Sequence, residues 1–211
     1  SRGLGDVYKR QTKGQERILK TIAITISLIA WIWAFVLLAK SDVHPAYFVA
    51  GHVMVGLACI CTSLIALVAT IARQIRNVYT DRERKRWPKL VLLMGTVSLL
   101  WGLFVIFSDS STTNGVIGYI MIGLGLVCYS ISSKVILLAK IWGREFALAN
   151  RIPLIPVLTA LACLFLASFV FELGTTHDDY FIPARVLAGL GAICFTLFSI
   201  VSILESGTSS K

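Results

Sequence analysis

The chain has 211 residues, of which 56% are hydrophobic and 15% charged, with a net charge of +9 and a mean hydropathy of +0.80. Soluble domains run to about 45–50% apolar and about 25% charged, so this composition excludes a disordered chain, a disulfide-rich secreted mini-protein and an ordinary globular enzyme. Six membrane spans of about 20 residues need roughly 120 apolar positions, and the hydrophobic share of this chain supplies that number.

Residues 1–11, SRGLGDVYKRQ, are polar and glycine-rich and precede the first apolar run without a methionine. They match a translated transposase sequencing adapter and are set aside from fold reasoning as an expected assembly scar. Residues 12–211 are then expected to form one transmembrane domain whose natural start is missing.

From there the chain alternates between charged segments and long runs almost free of Asp, Glu, Lys and Arg. The predicted spans are residues 21–39, 46–71, 90–107, 115–133, 152–171 and 182–204, and only the sixth holds a cation, Arg185. Backbone amides find no water in hydrocarbon, so a spanning segment must be a helix or part of a closed barrel. Unbroken apolar runs, rather than ten-residue alternation, select helices. Pro45, Pro88, Pro153, Pro156 and Pro183 stand at span entrances, where a missing amide hydrogen does no harm. The expected architecture is therefore all-α and polytopic.

The basic residues set the orientation. Residues 12–20, 72–89 and 134–151, with Lys211, hold fifteen Lys and Arg, while the opposite side holds only Lys40 and Arg185. Such a bias predicts that both termini and the basic loops are cytoplasmic. The run DRERKRWPK, residues 81–89, could serve nucleic acid or anionic lipid, but its role as a topology determinant suffices. Cys59, Cys61, Cys128, Cys163 and Cys194 all fall inside apolar runs and read as packing residues rather than disulfide or zinc partners.

An internal repeat is also present. Phe48, Val53, Gly56, Leu57, Ile60 and Cys61 recur as Phe181, Val186, Gly189, Leu190, Ile193 and Cys194, and an intermediate copy carries Gly118, Met121, Gly123, Leu124 and Cys128. The period of about 66 residues is two helices plus loops. It predicts three helical hairpins of like orientation, related by an axis along the membrane normal. Gly56, Gly123 and Gly189 are followed two residues later by Ala58, Gly125 and Gly191. Small residues on two faces predict close helix packing, with spans two, four and six innermost.

Four residues before each repeat glycine stand His52, Tyr119 and Arg185, near the outward ends of their helices, and Glu172 lies close enough in the predicted topology to neutralise Arg185. Ionisable groups inside a span are costly, and histidines gain charge as the medium turns mildly acidic. His52, Tyr119, Glu172 and Arg185 therefore form a candidate outward polar cluster, the alternative being interfacial anchoring and snorkelling. His177-Asp178-Asp179 reads as a solvated loop rather than a metal site. No nucleophile–base pair or metal-ligand spacing is visible, so neither catalysis nor a cofactor is expected.

Residues 48–80, FVAGHVMVGLACICTSLIALVATIARQIRNVYT, with WIWAFVLLAKSD at 31–42 and VLLMGTVSLLWGLFV at 91–105, resemble the YhiM-type inner-membrane proteins of enterobacteria. The resemblance covers residues 12–211 and is to the C-terminal part of longer proteins with further hairpins upstream. It implies a bacterial inner-membrane location and an association with acid adaptation, without a settled molecular activity or established site residues. The expected function is thus a non-enzymatic role in acid or envelope stress, with a small-solute transporter or channel subunit as the alternative. The expected partners are the lipid bilayer and the upstream hairpins, with a homo-oligomer left open; nucleic acid is not expected.

Overall fold

A computed structural model describes residues 13–75, 78–142 and 154–209. The proposed adapter string, Arg76, Arg144, Arg151, Pro153 and Lys211 lie outside the described residues. Six long helices carry the fold: α1 (Lys13–Ala39), α2 (Pro45–Ile75), α3 (Asp81–Ser108), α4 (Thr112–Trp142), α5 (Leu154–Gly174) and α6 (Phe181–Ser209). Each holds an apolar stretch long enough to cross a bilayer, so the chain is a polytopic all-α membrane protein.

Short connections at Lys40–His44, Asp109–Ser111 and Thr175–Tyr180 turn each pair back on itself, and these three turns define the hairpin end of the bundle. The opposite, basic end carries the α2–α3 connection. Helices extend past the apolar runs there. The charged run 81–89 is not a loop but the first two turns of α3, with Pro88 inside the helix rather than at its entrance. Proline removes the amide that would bond to the carbonyl of Arg84. α4 likewise continues to Trp142, so Lys134, read from sequence as a loop residue, is helical and 7% exposed.

A local signal explains where α3 begins. Thr80 is extended (φ −101°, ψ 157°) and its hydroxyl accepts from the Glu83 amide, while the Glu83 carboxylate accepts from the Thr80 amide. This reciprocal capping box satisfies two otherwise orphaned donors. Glu83 also meets the Arg73 guanidinium at 2.6 Å, tying the start of α3 to the last turns of α2.

α4 is the hub. It packs against α2, α3, α5 and α6, whereas α1 leans chiefly on α2. Of the apolar window of α4, 78% is buried, against 44% for α2 and 28% for α6. The expectation that the second helix of every hairpin is innermost is therefore corrected for α6, which is no more enclosed than α3. Its small residues Ala188, Gly189 and Ala192 face outward. Each helix packs most extensively on its hairpin partner, but the three hairpins are not equivalently enclosed.

At the α3–α4 seam backbone meets backbone, through Gly118 and Gly125, which the sequence reading singled out, and Gly95 and Gly102, which it passed over. A methyl group on Gly102 would stand 2.7 Å from the Gly118 carbonyl oxygen, and one on Gly125 would stand 3.0 Å from the Gly95 oxygen. Each helix spaces its two glycines seven residues apart, so the pairs fall on one stripe. Between them the buried Ser98 hydroxyl donates to the Met121 carbonyl at 2.9 Å. Without a hydrophobic drive between helices in lipid, this kind of contact and interhelical hydrogen bonding hold spans together.

α1 is fixed differently. Its buried face is Ser27, Ala30 and Ala34, and Thr62 of α2 accepts from Trp31 at 3.1 Å while sharing a 3.0 Å hydroxyl contact with Ser27. The opposite face exposes Ile22, Ile26, Ile29 and Trp33, as a lipid-facing surface requires. Elsewhere Ser63 and Thr70 donate to the carbonyls four residues back, which satisfies hydroxyls where water is absent.

Candidate functional site at the hairpin end

α2 places His52 two turns inside its start, where the helix meets α3. His52 is 8% exposed. Its Nδ1 lies 2.7 Å from the Phe48 carbonyl oxygen, so the neutral ring must carry its hydrogen on Nδ1 and present Nε2 as the basic atom. The ring packs on Phe48 at 4.4 Å between centroids and on Trp101 of α3 at 6.2 Å. Both neighbours are uncharged. The buried Trp101 indole nitrogen has no hydrogen-bond partner among the described residues, and nothing in the sequence flagged it beside His52.

Tyr119 of α4 sits in a second aromatic group. Its ring meets Phe169 at 6.4 Å and Tyr180 at 6.2 Å, over an apolar cluster of Ala167, Val170, Ala184 and Leu187. Gly115 lets the Tyr180 hydroxyl lie against the α4 backbone. Aromatic pairs in these tilted and edge-to-face arrangements add modestly to their burial.

Glu172 and Arg185 are both exposed. Among the described residues no hydrogen bond, ion pair or ring contact joins any two of His52, Tyr119, Glu172 and Arg185. The four expected cluster members are therefore split between a buried imidazole site at α2–α3, a tyrosine site at α4–α6, and two exposed charges. Arg185 lines a shallow groove with Leu164, Ala167, Ser168, Phe171 and Ala184, an arrangement suited to a snorkelling cation. His177 precedes a short 3-10 turn, Asp178–Tyr180, and His177, Asp178 and Asp179 are all exposed.

The expected packing residues divide as well. A methyl on Gly56 would press on Leu124 and on the Met121 sulfur at 3.0 Å, and one on Gly123 on Leu187 and Leu190, both at 2.7 Å. Gly125 packs on α3, Gly191 meets Leu164 and Cys163 of α5, and Ala58 is wholly buried. Gly189 has nothing within 4 Å of a built methyl, so its expected role in close packing within this chain is corrected: it faces open space.

The hydroxyls are engaged in structure rather than poised for chemistry. Ser132 and Ser133 donate to the Tyr129 and Ser130 carbonyls, each at 2.6 Å. The buried Ser130 hydroxyl, beside Cys194, meets no hydrogen-bond criterion among the described residues. Among the described residues no three of His, Cys, Asp and Glu converge as a metal site, and the five cysteines are free thiols.

Comparison with known proteins places this architecture. The chain is 51% identical over 193 residues to the inner membrane protein YhiM of Escherichia coli (strain K12), covering 92% of this chain and 55% of that protein; it thus spans about half the length of its relative. No solved structure matches. A family model matches residues 6–209, beginning inside the string read above as adapter. With nearly the whole of its length inside that match, the chain belongs to the family described as "Protein of unknown function (DUF2776)".

Proposed function

We propose that this chain is part of a non-enzymatic, multi-pass protein of the bacterial inner membrane whose hairpin end faces outward, in service of adaptation to acid and envelope stress. His52 carries the reading. It is a nearly buried imidazole bonded to a helix carbonyl and set between Phe48 and Trp101 where α2 packs on α3. An ionisable side chain held inside a bundle of spans marks a functional site. Cytoplasmic termini follow from the basic residues at the other end. The relative's inner-membrane name and the acid association implied by the family resemblance support the same reading.

One observation favours a second reading, a small-solute transporter or channel subunit. Lys134 is nearly buried within α4, one turn beyond the buried Ser130 hydroxyl, and no ion pair is formed with it among the described residues. Ionisable groups that face the interior of a bundle mark transport pathways. The two readings separate genetically. Loss of the full-length gene is expected to reduce survival in strong acid while leaving growth on single solutes at neutral pH intact. His52→Phe is expected to fail to restore acid survival at normal protein levels. A defect confined to one solute, or full complementation by His52→Phe, would replace the acid reading with transport or with simple anchoring.

A further inference from the structure

At the basic end, the first turns of α3 meet the last turns of α4 in a groove of about 370 Å³. Arg84, Lys85, Pro88 and Lys89 line it from α3, and Ile136, Ala139 and Lys140 from α4. Spacings of four and five on one helix and of three and four on the other put each set on a single helix face. Among the described residues the lining thus combines four cations with three apolar side chains and contains no carboxylate. Arg84 also meets Asp81, but at 3.5 Å and with that carboxylate 89% exposed, a contact that water screens.

The position of the groove adds to its composition. Leu90 opens the apolar run of α3 immediately after Lys89, so the cations stand at the level where hydrocarbon gives way to headgroups, with Pro88, Ile136 and Ala139 beside them. A volume of this size is within the range of small-ligand sites. Basic pockets between spans at the membrane boundary are suited to phosphate-bearing headgroups.

We propose that this groove seats the headgroup of an anionic phospholipid from the leaflet at the basic end. The cations bind the phosphate, Lys85, Lys89 and Lys140 as compact point charges and Arg84 as a planar fork, while the apolar residues lie along the first part of the acyl chains. A soluble anion would use the charges alone. A nucleic-acid phosphate would need the cations displayed on an open surface rather than in a cleft between two spans.

The test is native mass spectrometry of the chain released from nanodiscs of phosphatidylcholine containing phosphatidylglycerol. The unaltered chain is expected to retain one phosphatidylglycerol in preference to phosphatidylcholine, with retention falling as salt is raised. Each Lys or Arg at a membrane surface contributes about fivefold to anionic-lipid affinity, so the triple variant Lys85→Gln, Lys89→Gln, Lys140→Gln should lose roughly a hundredfold. The triple Lys→Arg variant should retain the lipid, which separates loss of charge from loss of fold. Arg82→Gln with Arg86→Gln, which removes charges outside the groove lining, should retain it as well. Equal loss in that control would show diffuse surface attraction, and displacement by millimolar inorganic phosphate would show a soluble-anion site; either overturns the proposal. So would equal retention of the two lipids by the unaltered chain.

Discussion

Gly102→Leu is expected to destabilise the folded chain by about 3 kcal/mol, a fall in Tm of roughly 10 °C for a chain of this size, read as loss of the monodisperse peak when the detergent-solubilised protein is heated. The cause is geometric. The nearest atom to a side chain at 102 is the Gly118 carbonyl oxygen, with the Ile122 amide nitrogen at 3.0 Å. Backbone atoms of a packed helix cannot rotate aside as a leucine tip can. Even Gly102→Ala should destabilise, although alanine gains about 1 kcal/mol of helix propensity over glycine. Gly189→Ala receives the same propensity gain with nothing within 4 Å, so it should be neutral or slightly stabilising. Opposite signs for one substitution at two helical glycines distinguish backbone contact from propensity. If both variants behave alike, the α3–α4 seam is not the close contact described here.

The second large effect is expected at Glu83, whose one carboxylate serves as capping partner of Thr80 and ion-pair partner of Arg73. Glu83→Gln should cost about 2 kcal/mol, combining part of a helix cap with a charge-assisted bond. Glu83 precedes Leu90 and so lies outside the apolar run. Burial acts to raise its carboxyl, but the Thr80 amide and hydroxyl and the Arg73 guanidinium outweigh it and hold the group below the ordinary carboxylate range. A carboxyl depressed in the folded state contributes stability above its unfolded value and loses that contribution as pH falls through the folded value. The unaltered chain should therefore lose thermal stability as the medium drops below about pH 4, and Glu83→Gln should lack that part of the decline. An unchanged acid slope in the variant would show that the contact carries no stability.

Much of this fold was legible because a bilayer leaves few choices. Apolar runs broken by charge located all six helices, since a charge in hydrocarbon is far more costly than one in a loop. Their ends were less legible. The charged run at 81–89 contains no apolar signal, and its helix depends on a Thr80–Glu83 capping box that is visible in the sequence but was overshadowed by the charges. Burial was the hardest to read. Glycines at 56, 123 and 189 are equivalent in the repeat, yet what each meets depends on the neighbouring helix: Leu124 for the first, two leucines of α6 for the second, open space for the third. A repeat constrains a helix and its partner, not the place of that pair in the bundle.

The site was less legible for the same reason. Spacing alone placed His52, Tyr119 and Arg185 at one level, but a level is not a contact. Only the packing of α3 on α2 brings Trp101 to His52, and only the return of the α5–α6 turn brings Tyr180 to Tyr119. The sevenfold spacing shared by Gly95 with Gly102 and by Gly118 with Gly125 was the available signal for the seam, and it becomes informative once α3 and α4 are recognised as an antiparallel pair.

The most direct test of the account is the sidedness of the bundle, since the outward histidine site and the cytoplasmic basic end both depend on it. Alkaline phosphatase fused after Asp109 of the full-length protein should be active, and phosphatase fused after Thr80 should be inactive. An active fusion at Thr80 would put the arginine-rich end in the periplasm and contradict the account.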